Sequence, residues 1–146
     1  IETGYTGNVL FRRALIERGG LAFRTELGRS GGEDLDFFYR FRDFGGRIGY
    51  ARDALVYEPV PLERTSLAYL LRRNFRQGQT HARRLQQYSA LRPKILHVPL
   101  ALAKAFLLGM AACQPSTAAR NRLLARAALH CGVIARFAGV AEIRLY

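Results

Sequence analysis

The sequence predicts an α/β segment followed by amphipathic helices, and three observations carry that expectation. Short apolar runs at Val9-Leu10-Phe11, 47–50 and 54–58 alternate with helix-forming stretches ahead of Pro59 and Pro61. Beyond those prolines the pattern turns helical, with long apolar segments interrupted by spaced cations. Charge divides at nearly the same place. Residues 1–64 hold ten Arg and ten Asp or Glu, whereas residues 65–146 hold eleven Arg and two Lys against Glu142 alone. The second part therefore carries the whole net charge of +12.

The elements follow in order. Thr6-Gly7-Asn8 is turn chemistry leading into the Val9–Phe11 strand candidate. Arg12 to Arg18 suits a short helix that Gly19-Gly20 stops, and an irregular loop runs from there to Ser30-Gly31-Gly32. Glu33 to Phe44 is a firm helix: Ser30 or the glycines cap it, acids fill its first turn, and Gly45-Gly46 ends it. Phe37, Phe41 and Phe44 share one stripe of it, which is core packing. Arg47–Tyr50 and Ala54–Glu58 are strand candidates around a polar turn at Arg52-Asp53. Thr65 or Ser66 then caps a long helix to about Tyr88; Ile95–Cys113 and Leu123–Val140 follow as apolar segments, separated by a turn at Gln114-Pro115-Ser116.

Composition excludes several classes. A chain of 146 residues that is 49% hydrophobic can bury a core and is no disordered tail. Cys113 and Cys131 are far apart with no CxxC pair, so the expectation is two buried free thiols in a reducing compartment and no zinc site. His81, His97 and His130 show no metal-ligand spacing and are expected at ordinary polar positions. No P-loop, HExxH, GxSxG or GxGxxG pattern is present. The opening Ile-Glu-Thr-Gly-Tyr-Thr-Gly-Asn, without Met or a signal peptide, reads as the middle of a longer protein.

Gly31-Gly32-Glu33-Asp34-Leu35-Asp36 is the most informative stretch. The glycines let a ligand or a second backbone come close, and two carboxylates open the helix behind them. A carboxylate at neutral pH can take a proton from a substrate hydroxyl as a general base. First-turn acids also serve simply to stabilise helices, and local spacing leaves both readings open. Arg72 and Arg76 lie one helical turn apart with Arg73 beside them. They can converge on an anion such as a diphosphate, or form a solvated or lipid-facing cationic face.

Taken in order, Thr6-Gly7-Asn8, the apolar run with two arginines, Gly31-Gly32-Glu33-Asp34, the Arg40/Gly45-Gly46 spacing and Arg72-Arg73-x-x-Arg76-x-Gly78 resemble the acceptor-side half of a family 2 glycosyltransferase of the GT-A type. The likeness is to bacterial enzymes of succinoglycan-type exopolysaccharide assembly and covers about residues 4–88. It implies the C-terminal part of an α/β GT-A fold over residues 1–90 and a membrane-associated tail over residues 91–146. It also implies inverting transfer of a sugar from a nucleotide-sugar donor to a glycan or lipid-linked acceptor. On that likeness Asp34 is the catalytic base and Glu33 holds the loop or the acceptor. Gly7, Asn8 and Gly32 contact sugar, and Arg72, Arg73 and Arg76 face the diphosphate.

Two departures accompany the likeness. Similar enzymes carry Gln-x-x-Arg-Trp where this chain, which has no Trp, has Arg72-Arg73-Asn74-Phe75-Arg76-Gln77-Gly78. Many relatives have a His helping to hold Mg²⁺ or Mn²⁺ where Tyr57-Glu58-Pro59 stands, which makes Glu58 a candidate oxygen ligand. The Asp-x-Asp motif of the donor side is absent from these residues, so the cation's main ligands are expected elsewhere in the complete enzyme. The piece is not expected to catalyse transfer alone.

Ile95–Cys113 has the length of a membrane span, yet Lys104 falls at its centre, where insertion costs roughly 2.5–3.5 kcal/mol. Lys94, His97 and Lys104 share one stripe, and Arg122, Arg126 and His130 share another on the following segment. Two helices lying in an anionic membrane surface fit this better than two spans; a helical hairpin packed on protein is the alternative. The expected location is the cytoplasmic face of the bacterial inner membrane, peripheral or anchored in plane. Competing classes are a non-catalytic membrane-tethering module and a basic nucleic-acid binder. The second is disfavoured because long apolar runs, not base-stacking aromatics, flank the charge.

Overall fold

The computed structural model describes residues 4, 6–28, 31–88 and 93–143, and of 88 and 93–95 the backbone alone. Ser30, a cap candidate, lies outside the described residues, as does the side chain of Lys94. Among the described residues five helices form: α1 (Arg13–Arg18), α2 (Glu33–Asp43), α3 (Leu67–Tyr88), α4 (Pro93–Ala111) and α5 (Thr117–Phe137). Short 3-10 turns cover Thr6–Asn8, Thr25–Leu27 and Leu62–Thr65. The chain divides into two compact units, Ile1–Pro59 and Val60–Tyr146.

The first unit is organised by phenylalanine. Phe37, Phe38 and Phe41 are buried on one side of α2. Phe11 stacks on Phe38 at 5.7 Å and meets Phe37 edge-on at 5.3 Å, while Phe23 stacks on Phe37 at 4.4 Å. Aromatic pairs of this kind add about 0.5–1.5 kcal/mol each beyond their burial. They tie the segments on either side of α1 to α2.

The α/β GT-A fold expected from the sequence is overturned, because among the described residues every regular element is helical and there is no strand or sheet. Val9–Phe11, Arg47–Tyr50 and Ala54–Glu58 are irregular, without ladder partners. The physical reason lies partly in the turn between the last two. Two-residue hairpin turns need positive φ, which Arg52 and Asp53 do not adopt. The turn closes instead with Ala54 N–H on the Ala51 carbonyl at 3.3 Å and Leu55 N–H on the Asp53 carbonyl at 3.0 Å. An isolated two-stranded ribbon is marginal in any case.

The second unit is a three-helix arrangement in which α5 packs against both α3 and α4. Its core is small: Ala82, Ala101, Val133 and Phe137, with Leu85, Val98, Leu129 and Ile134 against it. Ser66 caps α3 by accepting the Tyr69 N–H at 3.2 Å, and Ser116 caps α5 through the Ala119 N–H at 3.5 Å. The chain after α5 returns to α3. The fully buried Gln79 donates Nε2 to the Ala141 carbonyl at 2.9 Å and accepts the Ile143 N–H at 3.0 Å. Beside it Arg83 and Glu142 pair at 2.8 Å, so the one acid of the cationic part is engaged in the fold. Cys113 and Cys131 are free, as expected, but exposed rather than buried. Cys113 sits just past the end of α4, and Cys131 on α5 precedes the buried Gly132-Val133.

Candidate functional site

The acid pair opens α2 as its spacing requires. Gly31 and Gly32 take φ of +75° and +88°, left-handed values that glycine adopts at little cost. Gly32 occupies the N-cap, where it offers no side-chain cap. Glu33, Asp34 and Asp36 thus form the first turn, beside unpaired helix N–H groups that favour negative charge.

Each acid has a different environment. The Asp34 carboxylate accepts from the Thr6 hydroxyl at 2.6 Å and more loosely from the Thr6 N–H at 3.4 Å. The Thr-Gly-Asn turn and the acidic helix start, well apart in sequence, are therefore one local structure. Asp36 is bound into the framework: Arg40 Nε lies 2.8 Å and Arg24 Nη1 3.3 Å from its oxygens. Arg40 continues to the Ala22 carbonyl at 2.6 Å. Glu33 Oε2 is buried and has no hydrogen-bond partner among the described residues. An orphaned acceptor of that kind costs about 1–3 kcal/mol unless something donates to it.

Asn8 extends the same region by donating Nδ2 to the Ala54 carbonyl at 2.7 Å. It also lines a cleft of about 850 Å³ whose walls include Phe11, Phe38, Phe41, Arg47 and Tyr50. Asp34 does not line that cleft; Thr6 and Asn8, two residues apart, link the two features. Gly7 is exposed on the turn between them. Glu58 is exposed in the irregular segment before Pro59. Among the described residues no group of three or more His, Cys, Asp or Glu is set to hold a metal.

The arginines belong to the second unit. Arg72 and Arg73 are exposed and Arg76 is half-buried, all in the N-terminal half of α3. On α4 the apolar residues Leu96, Leu100, Leu102, Phe106, Leu107 and Met110 are exposed. No helix among the described residues is long and apolar enough to cross a membrane. Sequence spacing also missed one grouping. His81, His97 and His130, on three different helices, line one small cavity together with Lys104. Two signals bear on it: His97 shares its helix stripe with Lys104, and each histidine adjoins a residue of the apolar core, Ala82, Val98 or Leu129.

No family model matches the chain, and no solved structure matches it. The chain is similar to the succinoglycan biosynthesis protein ExoM of Rhizobium meliloti (strain 1021), with 46% identity over 148 aligned residues. The alignment takes in 100% of this chain and 48% of ExoM, so the chain spans about half the length of the curated relative it matches. The chain is accordingly a relative of a protein of exopolysaccharide biosynthesis.

Proposed function

We propose that this chain is the acceptor-side part of an inverting family 2 glycosyltransferase that builds a bacterial surface glycan. In this reading it moves a sugar from a nucleotide-sugar donor to a glycan or lipid-linked acceptor. The observation that carries the reading is the joining of Thr6 to Asp34. It ties a Thr-Gly-Asn turn to a half-buried carboxylate at a helix start, while Asp36 is consumed by structural ion pairs. The similarity to a succinoglycan biosynthesis protein supports the substrate class.

The chemistry runs as follows. Asp34 takes the proton of an acceptor hydroxyl while that oxygen bonds to the anomeric carbon. The bond from that carbon to the nucleotide diphosphate breaks on the opposite side, and its electron pair leaves with the diphosphate. Thr6 holds the carboxylate in place, and Glu33 Oε2, short of a donor, accepts a second acceptor hydroxyl. The aromatic cleft beside Asn8 offers apolar faces on which a sugar ring packs. Arg72, Arg73 and Arg76 supply positive charge for the leaving diphosphate. Glu58 would lend one oxygen to a divalent cation whose other ligands lie outside this piece, and such a cation would add positive charge at the leaving diphosphate.

The test uses the full-length protein. Asp34→Asn is expected to lower transfer by at least about 10²-fold, the scale of a general base, with donor binding retained. Near wild-type transfer by that variant sinks the reading. Arg72→Gln with Arg76→Gln is expected to weaken nucleoside diphosphate binding.

The exposed apolar residues of α4, flanked by a strongly cationic chain, support docking of the helical unit on an anionic membrane surface, in plane and on the cytoplasmic face. Phe106→Ser with Leu107→Ser is expected to release the protein from vesicles containing phosphatidylglycerol. Undiminished binding would return α4 to a packing role.

A further inference from the structure

Helices α3, α4 and α5 each bring one imidazole to a single cavity of about 110 Å³. His81 comes from α3, His97 and Lys104 from α4, and His130 from α5, against apolar walls that include Leu100 and Leu129. Among the described residues, the charged groups that act on His81 and His130 are all cationic. Partial loss of water around its ring, then Arg84, His97 and His130, hold His81 below the ordinary histidine range. Burial, then Lys104 and Arg126, do the same to His130. Among the described residues, no acidic one lines the cavity.

Two kinds of ligand satisfy clustered imidazoles. A metal needs neutral rings with converging lone pairs, and it is repelled by Lys104, Arg84 and Arg126; among the described residues no metal-holding group forms. An anion needs the opposite: donors on several sides, an uncompensated positive field and a partly dry floor. A tetrahedral oxyanion can accept from three helices at once, and the volume leaves room for one such group.

We propose that this cavity binds a phosphoryl group, with the Lys104 ammonium and the imidazolium N–H groups of His81, His97 and His130 as its donors. The site is separate from the transfer reading, since neither Asp34 nor Arg72 enters it. Binding and protonation reinforce each other: the anion offsets the charge that His81 and His130 otherwise resist taking up, so affinity rises as pH falls.

The phosphoryl group can belong to a free phosphate or to a lipid headgroup, and one experiment separates them. The 146-residue chain is titrated with inorganic phosphate, and with sulfate, whose charge is constant over the range, at about pH 8 and about pH 5. It is also mixed with phosphatidylcholine vesicles carrying phosphatidic acid or, at equal surface charge, phosphatidylserine. Tighter binding of both soluble anions at the lower pH, by about tenfold, supports the site with a free phosphate as ligand. A preference for phosphatidic acid that grows at the lower pH, without soluble binding, supports it with a lipid headgroup. In either case Lys104→Gln, at an exposed position, and His81→Gln with His130→Gln must abolish the pH dependence while circular dichroism stays native. Affinities that ignore both pH and these substitutions overturn the proposal.

Discussion

Gly78 on α3 and Gly132 on α5 lie so close to the opposite helix that neither position has room for a Cβ. From Gly78 that atom would land on the Leu129 carbonyl oxygen, and from Gly132 on the Phe75 carbonyl oxygen. The seam therefore brings backbone to backbone, which is how a core of two alanines, a valine and a phenylalanine suffices for three helices. Gly78→Ala should destabilise the helical unit by about 1–3 kcal/mol through overpacking, against a helix-propensity gain of at most about 1 kcal/mol. Gly109→Ala on α4, where a Cβ meets nothing, should be neutral or slightly stabilising. Thermal unfolding of the two variants checks this, and equal midpoints would mean that the seam is looser than its geometry.

Gln79 fastens the chain after α5 to α3 with both ends of its amide. Gln79→Leu keeps the volume but strips partners from the Ala141 carbonyl and the Ile143 N–H. The expected cost is about 1–3 kcal/mol. Hydrogen exchange reads the effect directly: the Ile143 amide should become fast while amides in the middle of α5 stay protected. Retained protection at Ile143 would show that the Arg83–Glu142 pair alone holds this stretch.

The helices were legible because their signals are local. Acids behind Gly31-Gly32 mark the start of α2, and Thr65-Ser66 marks α3, whereas α5 begins at Thr117, ahead of the expected Leu123. The strands were misread because a short apolar run such as Ala54–Glu58 satisfies a strand pattern without specifying a partner. The Arg52-Asp53 turn, lacking positive φ, could not provide one. The same limit applies to the sites. Glu33 and Asp34 stand out from spacing, but the Thr6–Asp34 bond and the meeting of three histidines depend on tertiary approach, which no local pattern encodes.

Asp34 and Asp36, two residues apart, should respond differently to the same substitution. Asp36 is 9% exposed and serves Arg40 and Arg24, so Asp36→Asn should cost about 1–3 kcal/mol of stability in the first unit. Asp34→Asn keeps an oxygen to accept from Thr6 and should cost less than about 1 kcal/mol. Chemical denaturation of both variants, followed by tyrosine fluorescence, checks the order. A larger loss from Asp34→Asn would make its carboxylate a structural element rather than a reactive one.

Stability of the helical unit should depend on pH through His81 and His130, and the sign is fixed by their shared direction. Both are held below the ordinary histidine value of about 6.5 in the folded state, so the unfolded chain binds protons more readily. Their contribution is complete above about pH 6.5 and is lost as pH falls from there through the lowered folded values. Unfolding midpoints measured in a non-coordinating buffer should therefore decline between about pH 7 and about pH 5. His81→Gln with His130→Gln should flatten that decline, because glutamine does not titrate. Added phosphate should flatten it for a different reason, by lending the protonated rings a counter-charge that the cavity itself lacks. A decline that survives both changes would have to originate in groups other than these two histidines.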